Sequence, residues 1–334
     1  MRALVLEDVN RLVMREQPIP SPGEGELLVR TKAATICTSD LIDLRRNPFG
    51  LSLPIILGHE GAGVVEAIGP GVVGFQPGDE VGAHPVIPCG HCAACLRGLG
   101  HLCDDMRHLG FNIGGVFADY FCIRHDRVRK KSAALPFSYA SLIEPVAVCL
   151  EAVKRGNVSP GQTVLVVGDG PYGVMMCRLC EAIGGVRTII LGRHDFRMAQ
   201  AANAAAVSAK KANNALADIM RLTNNQGVDT AILCVGTGEA LDIAVESLKA
   251  RGTLSVFSAI HGKPPVDMLK VSIKELNILG SCNDADCMDE ALDYLTRGVM
   301  DGLVTHEFPF EEWEKAIAMA ENGKDEALKV SLVW

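Results

Sequence analysis

The sequence predicts an α/β protein of two domains, a doubly wound parallel sheet joined to a smaller β-rich domain. Three observations lead there. At 334 residues the chain has the length of about two domains of ~150 residues each. From Thr163, "TVLVVGDGPYGVMMC" passes from a strand-like apolar run through three glycines into a helix-compatible segment. Upstream, "PSPGEGELLVRTKAATIC" and "GHEGAGVVEAIGPGVVGFQPGDEVGAHP" are short apolar runs punctuated by Gly and Pro, the texture of a compact β-barrel-like domain.

Composition narrows the setting. Charges interrupt every apolar run of the opening "MRALVLEDVNRLVMREQ", and no run reaches the ~18 residues of a membrane span. A mean hydropathy of +0.20 then reads as a large packed interior. Twelve cysteines without a signal peptide suggest reduced thiols and a cytoplasmic protein. Net charge −8 and a pI near 5.6 speak against a nucleic-acid partner, and "RVRKK" from Arg127 reads as a solvated connector.

Within the first domain, Cys89, Cys92, Cys95 and Cys103 follow the spacing C-x-x-C-x-x-C-x7-C. Four thiolates so close suit one tetrahedral zinc ion, which would supply folding free energy to a loop with few apolar side chains. Four protein ligands leave no position open for a substrate, so this lobe at 89–103 is expected to be structural.

The second domain begins with the glycine run. Gly168 permits a tight turn, Gly170 lets backbone approach a pyrophosphate, and Gly173 allows the helix opening at Pro171 and Tyr172 to pack close to the strand. With the second strand "RTIILG" at the distance a βαβ unit requires, this is a dinucleotide-binding (Rossmann) fingerprint. The tip of that strand reads Gly192, Arg193, His194, Asp195, Phe196, Arg197, where a carboxylate for the ribose hydroxyls would usually stand. Glycine and bases there favour NADP over NAD, because Arg193, His194 or Arg197 can pair with a 2′-phosphate, although Asp195 could still turn toward the ribose. "DTAILCVG", "GTLSVFSA" and "LNILGSC" read as further strands, "EALDIAVESLKA" as a helix, and the Ala-rich stretch from Arg197 to Leu222 as surface helices flanking the sheet. Cys177 and Cys180 on the first helix read as core thiols.

Taken together, "ICTSD" at Ile36 to Asp40, "GHEGAGVVEAIGPGVVGFQPGDEV" from Gly58, the cysteine lobe, "GGVFADY" from Gly114, "LIEPVAV" from Leu142 and the glycine fingerprint resemble the zinc-containing medium-chain alcohol and polyol dehydrogenase family. The resemblance covers essentially the whole chain. It implies a GroES-like catalytic domain at 1–145 and 284–334 around a Rossmann domain at 146–283, with the active site in the cleft. It also implies a catalytic zinc held by Cys37, His59 and Glu144, hence two zinc ions per chain. Taken alone, Cys37 could be a core thiol and Glu144, before Pro145, a helix cap. By the same resemblance Glu60 approaches the metal during ligand exchange, Ser39 accepts the substrate proton, and Asp40 supports the ligand histidine. The simple alcohol dehydrogenases carry a histidine shortly after this serine. This chain has Leu41, Ile42, Asp43 and Leu44, so proton exit runs through the cofactor ribose and water or through Asp43.

The implied function is hydride transfer between NADP(H), or NAD(H), and a secondary alcohol or ketone. Glu144 in place of a third cysteine, and polar candidates such as His84 and Asn112 beside Phe49 and Phe111, lean toward a polyol, sugar-derived or amino alcohol. Two alternatives are a zinc-independent quinone or enoyl reductase of the same fold and a non-catalytic NADP-binding scaffold. The family implies a homodimer or homotetramer, with 276–281 as the candidate sheet edge.

Overall fold

The strand Glu26–Thr35 organises the first unit of the computed structural model, which describes every residue except Lys211 and His261. Its side chains are almost all buried, and antiparallel partners flank it: Glu60–Ile68 on one side and the C-terminal strand Lys329–Val333 on the other. Thr35 thereby faces both Glu60 and Ser331. Val128–Lys130, Glu80–Ala83 and Val304–Pro309 extend the sheet, and Tyr120–Arg124 pairs beside them with Glu26–Thr35. A smaller sheet orders Arg11–Glu16, Arg2–Asp8 and Ile55–Ile56.

The last strand is pinned by its neighbours. Leu332 and Val330 lie in the same apolar core as Leu27, Val29, Phe117 and Phe310. Trp334 stacks on Phe310 at 4.2 Å between ring centres and donates from Nε1 to Asp119 at 3.0 Å. This unit comprises Met1–Ala147 and Ala285–Trp334.

The segment from Val148 to Asp284 forms the second unit. Its parallel strands run in the spatial order Ala205–Ser208, Arg187–Gly192, Thr163–Val167, Val228–Leu233, Leu248–Val256, Asn277–Gly280. The inner strands are near-continuous runs of Val, Ile and Leu because helices cover both faces of such a sheet. Strand order reverses beside Thr163–Val167, so the loop after that strand opens at the crevice where ligands of this fold bind.

Two segments differ from expectation. The Ala-rich stretch holds the expected helices, Asp195–Ala199 and Ala212–Leu222, but with an edge strand, Ala205–Ser208, between them. Pairing with Arg187–Gly192 satisfies that backbone and overrides the helix propensity of alanine. The basic run is not a solvated connector. It enters strand Val128–Lys130, with Arg129 on Asp289, Lys130 on Asp79 and Lys131 on Glu80 at 2.5, 2.8 and 2.5 Å.

Candidate active site

Cys37 follows the strand Glu26–Thr35 and stands at the N-cap of the helix Thr38–Arg46. His59 immediately precedes the neighbouring strand Glu60–Ile68, so the pairing of these strands brings both residues to one end of the sheet. Gly58 makes this possible. Its φ is +89° and a Cβ there would sit 2.5 Å from the Phe117 ring.

One carboxylate orients both donors. Asp40 accepts the Cys37 backbone N–H at 2.9 Å through Oδ2 and the His59 Nδ1–H at 3.1 Å through Oδ1. That fixes the tautomer and leaves His59 Nε2 as the coordinating atom. Burial opposes charge on His59, yet Asp40 and Cys37 outweigh it and raise its pKa well above the ordinary value. Two anions that draw a proton so strongly equally suit a divalent cation. Ser39 Oγ lies 3.5 Å from His59 Nε2, beside the coordinating edge.

The buried donors whose atoms all lie within 4.8 Å of one another are Cys37, His59 and Glu60. Glu144, expected third, is buried in the first turn of helix Ile143–Arg155 and is not in that group. Glu60 belongs to that group from the strand, with both oxygens engaged. Lys329 pairs with Glu60, reaching Oε2 at 2.6 Å, and Thr35 donates its hydroxyl to the same carboxylate. Lys329 carried no signal in the sequence, since it lies 269 positions from Glu60. Thiolate, imidazole and carboxylate in a buried cluster match a zinc site with room for a substrate oxygen.

Beyond His59 an aromatic series runs outward. The His59 and His108 rings are 5.7 Å apart, His108 and Phe111 6.0 Å, and Phe111 and Phe49 6.4 Å. His108 was not foreseen. Its Nδ1 donates to the Leu109 carbonyl at 2.8 Å, and burial, aided by His59, depresses its pKa to about 3. His84, by contrast, is fully buried with Nδ1 3.0 Å from Arg127, and Asn112 bonds the His108 N–H and the Met106 carbonyl.

Asp43 lies one turn after Ser39 on the same helix, buried, with Oδ1 lacking a hydrogen-bond partner. Burial first and Asp40 second raise its pKa to about 6. The folded chain therefore binds a proton at Asp43 that the unfolded chain, with an ordinary carboxyl, does not bind until lower pH. Metal-free protein is expected to gain on the order of 1–2 kcal/mol as pH falls from 7 to 4 through this group. Asp43→Asn should remove that gain, as chemical unfolding at several pH values would read; an unchanged pH dependence would contradict it.

In the lobe, Cys89 and Cys95 sulfurs are 3.9 Å apart and those of Cys92 and Cys103 3.8 Å. A tetrahedron with metal–sulfur bonds of about 2.3 Å has edges of about 3.8 Å, so the four sulfurs fit one zinc ion. The N–H groups of Cys95 and Asp104 pull the Cys92 thiol down to about 6. None of the twelve cysteines is in a disulfide.

In the second unit the glycine loop has the shape its sequence requires. Gly168 has φ +124°, a Cβ on Gly173 would fall 2.0 Å from the Gly168 carbonyl oxygen, and a Cβ on Gly170 would meet nothing within 4 Å. Gly170 caps the helix Pro171–Ile183, with Pro171 at its first position. Tyr172 packs on Phe257 with ring centres 5.2 Å apart. This cradle fits a pyrophosphate at a helix N-terminus.

At the second strand's tip, Gly192 has no side chain and Arg193 is exposed, yet the place is filled. Asp169, from inside the glycine loop, accepts the backbone N–H groups of Arg193 at 2.7 Å and His194 at 2.5 Å and the His194 ring at 3.0 Å, all on Oδ2. Asp195 points away and pairs with Lys210 at 3.3 Å, while Arg197 lies within the short helix that follows. The sequence argument for NADP rested on a tip without a carboxylate; Asp169 supplies one.

Residues 23–133 match the alcohol dehydrogenase GroES-like domain, and residues 171–297 the zinc-binding dehydrogenase domain. The chain is 31% identical to sorbitol dehydrogenase of Bacillus subtilis, over 99% of this chain and 96% of that protein. It is 32% identical to L-threonine 3-dehydrogenase of Pyrococcus horikoshii over 92% of each. Among solved structures it resembles the rspB alcohol dehydrogenase of Escherichia coli CFT073 complexed with NADH (TM-score 0.92, 27% identity, 100% and 99% of the two chains). A zinc-binding dehydrogenase of Sinorhizobium meliloti bound to NADP gives a TM-score of 0.91 at 26% identity, with the same coverage.

Proposed function

The chain belongs to the zinc-containing medium-chain alcohol and polyol dehydrogenase family, and we propose that it transfers hydride reversibly between a nicotinamide dinucleotide and a secondary alcohol or ketone. The observation that carries this is the buried cluster of Cys37, His59 and a carboxylate, with Asp40 orienting the first two. A zinc-independent reductase or a non-catalytic scaffold would have no use for that set.

In this reading Cys37, His59 and Glu144 hold a catalytic zinc ion, and the pair with Lys329 holds Glu60 back until a ligand is exchanged. Zinc supplies a Lewis acid that polarises an alcohol or carbonyl oxygen and lowers the pKa of the alcohol. Ser39 takes the hydroxyl proton, placed for it beside the coordinating edge of His59. The Gly168–Gly173 loop and the N-terminus of the helix at Pro171 hold the cofactor's pyrophosphate. A second zinc ion in the four-cysteine lobe gives two per chain.

The His108, Phe111 and Phe49 series gives the substrate an aromatic wall with one polar member. Such a wall suits an alcohol that carries further hydroxyl or amino groups, so polyols, sugar-derived alcohols and amino alcohols such as threonine are the substrate class. The test is nicotinamide absorbance with zinc-replete protein across such a panel and simple secondary alcohols. Turnover confined to the polar alcohols supports the reading, and silence from protein holding two zinc ions refutes it.

The partner in solution is a second copy of the chain. Asn277–Gly280 is an edge strand, and Met268, Leu269, Ile273 and Ile278 beside and on it are exposed apolar side chains. Light scattering is expected to give a dimer or tetramer, and Ile278→Lys to lower the mass by weakening the edge; a monomer before substitution would remove the assignment.

A further inference from the structure

We propose that Asp169 is the carboxylate that reads the adenosine ribose, delivered from the glycine loop instead of from the second strand, and that it selects NAD(H) over NADP(H). The inference rests on reading the glycine loop as a nicotinamide-cofactor site. A carboxylate that recognises the ribose ordinarily roots at the tip of the second strand. Here that position is Gly192, and a Cβ built on it would lie 2.4 Å from Asp169 Cβ and 2.7 Å from Asp169 Oδ2. The Asp169 side chain therefore fills the volume in which an acidic side chain at position 192 would begin. Gly192 is the residue that makes room for it.

The hydrogen bonds divide the carboxylate into two roles. Oδ2 collects three donors, the backbone N–H groups of Arg193 and His194 and the His194 ring, and these fix its position. No protein donor among the described residues lies within hydrogen-bond distance of Oδ1. An oxygen held at the strand tip with unused acceptor capacity suits a ribose hydroxyl, which is a donor.

The same arrangement works against a 2′-phosphate. Backbone N–H groups at such a tip would serve an anion well, but both are spent on Asp169. The carboxylate adds like charge beside a phosphate oxygen, and His194, one of the bases of the tip, is engaged by it. Exposed Arg193 offsets part of this repulsion. Like charges a few ångströms apart in a partly solvated loop amount to a discrimination of about tenfold or more in affinity.

The experiment measures dissociation constants of NAD+ and NADP+ by calorimetry for the unaltered chain, Asp169→Asn and Asp169→Ala, with kcat/KM for both cofactors alongside. Asn keeps an acceptor for the two N–H groups and removes the charge, so it separates charge from loop order. The unaltered chain is expected to bind NAD+ at least about tenfold tighter than NADP+, and Asp169→Asn to shift the ratio toward NADP+ by about tenfold. A preference for NADP+ in the unaltered chain, or equal weakening of both cofactors in both variants, would overturn the proposal while leaving the cofactor site intact. Binding of neither cofactor would overturn it together with the dehydrogenase reading.

Discussion

Lys329→Met protein is expected to be about 3–5 kcal/mol less stable than the unaltered chain, the range for removing one partner of a buried ion pair. Lys329 and Glu60 are 1% and 0% exposed, so neither charge has water to fall back on. Burial opposes charge on the ammonium, but the charges of Glu60, Cys37 and Glu144 and the hydrogen bond to Glu60 together outweigh it and raise the pKa of Lys329. Methionine keeps most of the volume and removes the cation, which leaves the Glu60 carboxylate buried with only the Thr35 hydroxyl donating to it. Lys329→Met with Glu60→Gln should recover much of the loss, since removing both charges removes the penalty of the orphan. Urea unfolding of the two variants and the unaltered chain checks this. A single variant as stable as the unaltered chain would mean that the pair is not buried in solution. Lys329→Met should also lower turnover, because an unrestrained Glu60 competes for the position proposed for the substrate oxygen.

Cys37→Ala protein is expected to lose more than about 1,000-fold in kcat/KM while keeping one zinc ion of two. In the proposed set Cys37 is the soft ligand, and the Asp40 carboxylate that accepts its backbone N–H is kept by the substitution. The four-cysteine lobe is built from residues 89–103 alone, so its metal should stay. Metal content, turnover and a melting curve on the same preparation separate the effects: loss of activity with one zinc and an unchanged fold supports the assignment. Two retained zinc ions, or activity within a few-fold of the unaltered chain, would place the chemistry elsewhere.

What could be read from sequence was local. The cysteine lobe closes within 15 residues of chain, and S···S separations of 3.8 and 3.9 Å are what its spacing anticipates. The strand, glycine loop and helix around Gly168 likewise lie along one continuous stretch, in which turn, approach and packing each demand a residue type. The edge strand inside the Ala-rich stretch was not legible for the complementary reason. Alanine's helix propensity is a few tenths of a kcal/mol per residue, and an edge strand's hydrogen bonds to Arg187–Gly192 exceed it.

The amino-acid sequence by itself determined the family, the two folds and the residue types available for chemistry, because patterns of apolar period, glycine and cysteine spacing act over a single element. Tertiary structure alone decided which carboxylates stand where. Glu60 joins Cys37 and His59 because strand register sets it opposite Thr35, and Lys329 reaches it from the last strand. Asp169 fills the strand tip because a missing side chain at Gly192 leaves a space of its size. A charge in a low-dielectric interior is governed by its nearest partners in space, and sequence separation does not encode those distances.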